Sequence, residues 1–577
     1  MVNKMRRILE KVKNKLKENK IFIILIAILI LKIVIVEIQP LNAKYMMKYD
    51  DQLMVEMADN ISSGKWLGEY NSKTLIKGVF TPLFISLVYI LKIPFLIGKE
   101  IFYGIACIIL VMIIRKRIKS SKVILITYII LLFNPVEYSA ELSRVYRDGI
   151  YMSLVIYFLA FFIGMFFSRK EPIKKQIKYF MGVGVSLSAI YLCREETIWL
   201  LPFIIIITIC TVIPIIVNKK IKDKLKRVML YFIPIVILLI AINIVCILNY
   251  KYYGVYTLNQ YWGSEFKSAY GALTRVETAE EKERVPVTNE TLQELYKYSP
   301  KLAELQNFFN SEKAEKWRMC GEKIEKEING GYFHWALMEA VENKGYYKNA
   351  KTANKYYKEL GQEINNLCDT GIVSSKGSKR VSNTCYFKIE DIIKVIKNIP
   401  KTIKFQYKLT DVKMTVSNTK NIIGLENKEE KMQEMEKITH HKIETVNHYV
   451  GTWNNLRLKM IEKIKEIYTG INKYFASISI IAFLILLMTN ATKLSRLYEE
   501  LIILSSLLIL YFSRIFVITF TSTLMFQEAL NISYLSSIYN IQYLFGILSI
   551  YFLTKSVIKQ RKAKIENESN NTNTSAK

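Results

Sequence analysis

Cysteine and histidine are scarce in this 577-residue chain, at seven and four residues. The cysteines form no Cys-x-x-Cys pair and no Cys/His ligand spacing, so neither a structural zinc site nor a disulfide framework is expected. The phosphate-cradling GxxxxGK[ST] loop and the strand–turn–helix GxGxxG are both missing. The polar stretches between the early apolar runs are also too short to fold a nucleotide-binding domain. No internal repeat is found, whereas many transporters are built from one. Acids are outnumbered: 50 Asp and Glu stand against 81 Lys and Arg, a formal charge of +31. In a soluble chain that excess points to nucleic acid. Here the short basic clusters sit between apolar runs, where they set topology and attract anionic lipid headgroups. No nucleic-acid partner is expected.

What the chain has in quantity is apolar sequence. Hydrophobic residues make up 51%, and several runs reach the roughly 18 residues that span a bilayer. This is the signature of an all-α polytopic membrane protein. The basic N-terminus, 1–20, has no small-residue cleavage site, so Ile21–Ile38 is a retained span rather than a cleaved signal. Lys32 and Glu37 fall in that span and must find partners in the bundle. The clusters RKRIKSSK (115–122), RKEPIKKQIK (169–178) and KKIKDKLKR (219–227) should all be cytoplasmic. They share one side only if Lys99–Ile114 crosses and Thr81–Ile97, broken by Pro82, Lys92 and Pro94, lies at the outer surface as an interfacial or re-entrant element.

The same parity carries on through Val123–Tyr138, Ile150–Phe167, Tyr179–Cys193, Ile198–Val217 and Val228–Leu248. After a long polar segment it resumes with Tyr474–Met488, Leu501–Phe520 and Ile538–Leu553. About ten spans result, in the plasma membrane, with both termini cytoplasmic. The expected units are the N-terminus 1–20, a membrane module 21–249, an extracytoplasmic mainly helical domain 250–472, C-terminal spans 473–555 and a disordered cytoplasmic tail 556–577. In the large domain, His334 and Trp335 suggest sugar binding, but an aromatic helix face more often belongs to a core.

The chemistry gathers at the outer ends of spans. Tyr49–Gly68, YDDQLMVEMADNISSGKWLG, follows the first span as a short amphipathic helix that Asp50 or Asp51 can cap and Ser62-Ser63-Gly64 can stop. Asp50, Asp51 and Lys77 share that first outer loop. Arg144, Arg147 and Asp148 lie in the second, ELSRVYRDG. Arg194, Glu195 and Glu196 lie in the third, CREET, where almost no loop separates two spans. Charges held at span ends on one face are costly unless paired or functional. The outer side of a membrane offers no nucleotide donor, so a group-transfer enzyme there takes its donor from the lipid phase. A carboxylate at the surface can accept the proton of an acceptor hydroxyl. Nearby Arg and Lys can hold a lipid-linked phosphate as it leaves.

The first span, the outer loop opening on an acid pair, and the following A…G.W pattern resemble the GT-C superfamily. Its members include protein O-mannosyltransferases, lipid A aminoarabinose transferases and the catalytic subunits of oligosaccharyltransferase. The resemblance covers about the first 250 residues. It implies that Asp50 is the catalytic base, with Asp51 as its neighbour where a Glu is commoner in the family. Lys77-Gly78 before Pro82 is similar to the family's Lys/Pro element, although the His-containing form is absent. SRVYRDG resembles the segment that supplies donor-phosphate or metal contacts. The resemblance thus implies a polyprenyl-phosphate sugar donor, and the charge clusters suggest that Lys77, Arg144, Arg147 and Arg194 hold its phosphate, with Asp148, Glu195 and Glu196 toward the acceptor or a metal. The acceptor would be a cell-envelope glycan, a lipid or a protein. A divalent metal (Mg or Mn) stays open, since the family has members of both kinds and no clear Asp-x-Asp is present. Two other classes compete: a transporter or flippase of lipid-linked glycans, and a non-catalytic membrane scaffold.

Overall fold

Helices form where the apolar runs demand them, and their ends follow from local chemistry. The computed structural model describes residues 20–194, 196–219, 221–278, 280–409, 412–414, 428–443, 451–490 and 498–575. Among these, eight helices are long and apolar enough to cross a membrane: Phe95–Ile114, Asp148–Ser168, Ile173–Cys193, Thr197–Val217, Lys224–Tyr253, Thr452–Thr489, Glu499–Leu524 and Gln527–Lys562. Seven of the helices in the first half are named here as α1 (20–36), α2 (Asp51–Ser62), α3 (Phe80–Ile90), α4 (Phe95–Ile114), α5 (Ser121–Leu132), α6 (Asp148–Ser168) and α7 (Ile173–Cys193). Next come α8 (Leu201–Val217) and α9 (Ile233–Tyr253). The basic N-terminus, Lys20 excepted, lies outside the described residues.

Two expectations need correction. Val123–Tyr138 was expected to cross, yet α5 stops at Leu132 after 12 residues. At 1.5 Å per residue that is about 18 Å, short of the hydrocarbon core. The cause is local: Pro135 has no N–H to donate and pushes Asn134 out of the helical region. Conversely, the tail expected to be disordered continues the last helix, which runs Ile532–Ser575. Its KQRKAKIENE stretch consists largely of good helix formers. The element expected at the outer surface is α3, at 11 residues also too short to span.

The large domain adds α10 (Ser264–Arg275), α11 (Phe333–Asn343), α12 (Ala350–Asp369), α13 (Ile389–Lys408) and α14 (Lys428–Thr439). Its core is aromatic: Phe266, Tyr270, Phe309, Phe333 and Tyr357 pack ring to ring. The expected boundary at 472 falls inside α15 (Thr452–Asn490), one helix running from the domain's edge into the membrane bundle. The helices α16 (Tyr498–Leu524) and α17 (Ile532–Ser575) complete the bundle.

Burial sorts the bundle. Nearly every residue of α6 is buried, as an all-round apolar helix at a centre must be. In contrast, α8 and α9 leave Ile205, Ile209, Ile213, Leu239, Ile240 and Ile244 exposed, a surface suited to lipid. A continuous apolar core joins the membrane helices to the large domain. Polar contacts tie that domain to the first outer loop: Tyr70 donates to Gln260 at 2.6 Å, Ser72 N–H to Glu342 at 3.1 Å, and Lys431 and Lys437 reach Glu56 and Asp59 at 3.0 and 2.7 Å.

Candidate active site

Helix α2 begins where the chain turns after α1, and its stripe of Leu53, Met54, Met57 and Ala58 is buried. Ser63 closes it, with Gly64 in the left-handed region at φ +75°. Asp50 sits at the N-cap position but makes no capping hydrogen bond. Its carboxylate turns elsewhere: Lys77 Nζ donates to Oδ1 at 3.2 Å, and an Arg144 Nη2 lies 3.5 Å from Oδ2. Asp51 is fully buried and takes Nε of Arg144 at 3.1 and 3.3 Å, with Nη2 closing the fork. Of the two aspartates Asp50 is the open one, with 30% of its side chain exposed.

These environments separate the pair. Burial pushes the Asp50 carboxyl up, but Lys77 and Arg144 outweigh it and hold the group well below the usual carboxylate range. Burial pushes Asp51 up, with Arg144 opposing, and here burial prevails. The raised carboxyl of the pair is therefore Asp51 and not Asp50, the base that the resemblance implies. The reason is spatial: Asp50 faces two cations and Asp51 lies deeper with one.

Lys77 is positioned by its neighbour. A Cβ on Gly78 would stand 2.2 Å from the carbonyl oxygen of Leu192, so glycine lets the first loop lie flush on the last turn of α7. Lys77 is buried there, donates to the Tyr146 hydroxyl at 2.9 Å, and lies over the Tyr146 and Trp335 rings at 5.3 and 5.1 Å. Its guanidinium neighbours Arg144 and Arg147 lie over the Tyr146 ring at 5.0 and 5.4 Å. Tyr146 is thus the hub of the second loop.

The third loop joins the same cluster. After Cys193 the backbone becomes extended at Arg194, which is buried, pairs with Asp148 at the start of α6 and lies 3.8 Å from Glu196. Burial pushes the Glu196 carboxyl up, yet Arg194, Arg147, Arg514 and Lys77 together hold it below its ordinary value. Glu195 lies outside the described residues. All the other residues expected from sequence, Asp50, Asp51, Lys77, Arg144, Arg147, Asp148, Arg194 and Glu196, meet at one end of the bundle beneath the large domain.

Several participants were not expected. Trp335, assigned with His334 to a core, stacks on Tyr49 and Tyr261 at 5.1 and 5.7 Å and walls the Lys77 side of the site. His334 does belong to the core: it is buried, and burial, with Lys77 nearby, lowers its pKa to about 3. Arg514 of α16 is fully buried near Arg194, and its signal was a lone arginine in an apolar run. Beneath the site, Lys32 pairs with Glu100 and Glu137, and Lys99 reaches Glu137 at 3.1 Å and Glu100 at 3.7 Å. Lys99 also donates to the Glu137 and Leu142 carbonyls at 2.7 and 3.3 Å, anchoring the segment that leads to Arg144. Glu37 pairs with Arg457 at 2.9 Å.

For a divalent metal the donor set fits poorly. Among the described residues no group of three or more His, Cys, Asp or Glu side chains could hold an ion. Asp50, Asp51, Asp148 and Glu196 each face an Arg or Lys instead.

No family model and no curated protein sequence matches the chain. In structure it is similar to ArnT of Cupriavidus metallidurans in the apo state, with a TM-score of 0.32 and 10% identity over 87% of this chain and 77% of that one. It is likewise similar to the same protein bound to undecaprenyl phosphate, at 0.31 and 11% identity over 88% and 78%.

Proposed function

We propose that this chain is an integral-membrane glycosyltransferase of GT-C type, moving a sugar from a polyprenyl-phosphate donor to an extracytoplasmic acceptor in the cell envelope. The acceptor class is a glycan, a lipid or a protein. The observation that carries the proposal is Asp50: a half-open carboxylate flanked by Lys77 and Arg144 at the rim of a membrane bundle. Structural ion pairs explain Asp51–Arg144 and Arg194–Asp148. They do not explain why the first carboxylate of the helix forgoes its cap and faces outward.

In the reaction the bond from the sugar's C1 to the phosphate oxygen breaks, and its electron pair leaves with the phosphate. The acceptor oxygen bonds to C1, and its proton passes to Asp50. With Lys77 and Arg144 on it, Asp50 is a weak base. A donor phosphate that draws those two cations to itself removes what depresses Asp50, so donor binding raises the basicity of the carboxylate that must then act. The lipid anchors the donor at the same level as the site, since Asp50, Arg147 and Arg194 all lie at helix ends.

The test is a transfer assay with the full chain in detergent and a panel of polyprenyl-phosphate sugars. Release of polyprenyl phosphate with sugar on an acceptor is expected for one of them. Movement of the intact donor across a vesicle membrane without release would instead make the chain a flippase. Cysteines placed at Ser63 and Ser374 should react with an impermeant label from outside the cell; labelling from the cytoplasmic side alone would overturn the orientation.

A further inference from the structure

We infer that Arg514 is a further ligand of the donor's phosphate, opposite Arg194; this rests on the donor class proposed above. Arg514 lies in the apolar run LYFSRIFVITF of α16 and is fully buried. Its Nε and Nη2 donate to the Tyr534 carbonyl at 3.1 and 2.8 Å, and its guanidinium stands 5.4 Å from the Trp199 ring. Among the described residues no carboxylate pairs with it, and Nη1 has no hydrogen-bond partner. Glu196 and Asp148 act on it only at a distance, and a buried cation with no direct ion pair is costly and is retained where something charged comes to meet it.

The other half of the seat is Arg194. The two guanidiniums lie over one ring, Tyr151, at 5.7 and 5.5 Å, and Arg194 also lies 4.7 Å from the ring of Tyr534. Arg194 is neutralised by Asp148, yet its Nε likewise has no hydrogen-bond partner. Two neighbouring guanidiniums with buried, unused N–H donors match the oxygens of a phosphate, which accepts from planar forks better than from a point charge. The charge balance of the reaction fits as well. The donor is a phosphodiester with one negative charge. When the C1–O bond breaks, the electron pair stays on the phosphate and the product monoester acquires a second charge. Asp148 and Glu196 already offset Arg194, so Arg514 is the cation left for that second charge.

The test measures binding of a polyprenyl monophosphate to the full chain in detergent, for wild type, Arg514→Gln and Arg514→Lys. Arg514→Gln retains a side-chain amide able to donate to the Tyr534 carbonyl, so the α16–α17 contact survives. Its affinity should fall about ten- to a hundredfold. The loss should be larger above about pH 6, where the monoester carries its second charge. Arg514→Lys should fall part-way. Wild-type affinity in a folded Arg514→Gln protein at pH 8 would overturn the inference and leave Arg514 as a clip between two helices. If Arg514→Gln does not fold, Arg514→Lys decides, and wild-type affinity there overturns it equally. Failure of the wild type itself to bind the monophosphate defeats the donor class, whereas wild-type binding with unaffected variants defeats Arg514 alone.

Discussion

Changing Asp50 to Asn retains the size of the side chain and removes its basic oxygen. No helix cap is lost, because Asp50 makes none. What disappears is the ion pair with Lys77 at 3.2 Å and the longer contact with Arg144 at 3.5 Å. Lys77 is buried and keeps only the Tyr146 hydroxyl and two rings, so the change should cost about 1–3 kcal/mol. In a chain of this size that lowers Tm by a few degrees, on the order of 2–4 °C per kcal/mol at most. Turnover should fall about a hundred- to ten-thousandfold, the usual worth of a general base. The assay is single-turnover transfer from the polyprenyl-phosphate sugar, read beside a thermal melt of the same preparation. Donor KM should not rise, because the phosphate cations remain and no longer pair with Asp50. The pH dependence has a definite sign. Asp50 is held below its unfolded pKa of about 3.9, so the stability of its ion pairs is present above that value and is lost as pH falls through the lower folded one. The Tm gap between wild type and variant should therefore stay constant from about pH 8 to 5 and close only below about pH 4. Near wild-type turnover in the Asn variant would refute the base assignment, and loss in Asp51→Asn alone would move it one residue on.

Arg144→Ala should weaken donor binding and also unfold the loop, since it strips the fork from buried Asp51; Arg144→Lys keeps charge without the fork and should recover part of both, measured as KM and Tm. Gly78→Ala should cut turnover with only modest loss of Tm, because a methyl 2.2 Å from the Leu192 carbonyl must push the Lys77 loop off α7; unchanged kinetics would show that the loop can shift freely. Glu137→Gln leaves Lys32 and Lys99 sharing Glu100 and should cost about 3–5 kcal/mol of stability, partly restored by Lys32→Met in the same chain, read as a double-mutant cycle of Tm. Chelation should leave turnover intact, as the site's described acids already face Arg or Lys; activity lost to a chelator and restored by Mg or Mn would refute this.

Much of the site was legible as a list of residues. Asp50, Asp51, Lys77, Arg144, Asp148 and Arg194 stood out because charge beside an apolar run is costly, and the parity of the basic clusters placed them at one end. Their pairing was not legible. Nothing in the order Asp50-Asp51 says which carboxylate lies deeper, and only the fork from Arg144 decides that Asp51 is the buried partner. Trp335 was missed because its helix face looks like core from sequence, and two adjacent residues, His334 and Trp335, face core and site respectively. Arg514 was passed over because one charge in a long apolar run barely alters its hydrophobicity.

By itself the sequence determined the helices, the membrane and the identity of the charges at the helix ends. Those depend on local quantities: run length, proline and glycine placement, and the cost of charge in hydrocarbon. Even the short α5 was written in Asn134-Pro135. Tertiary structure alone decided which charges neutralise one another, that Gly78 lets Lys77 settle on α7, and that a tryptophan more than two hundred residues downstream walls the site. Those depend on contacts between segments distant in the chain. Electrostatic energy falls steeply with separation and solvent exposure, so a carboxylate's proton affinity is set by neighbours that only folding brings within reach.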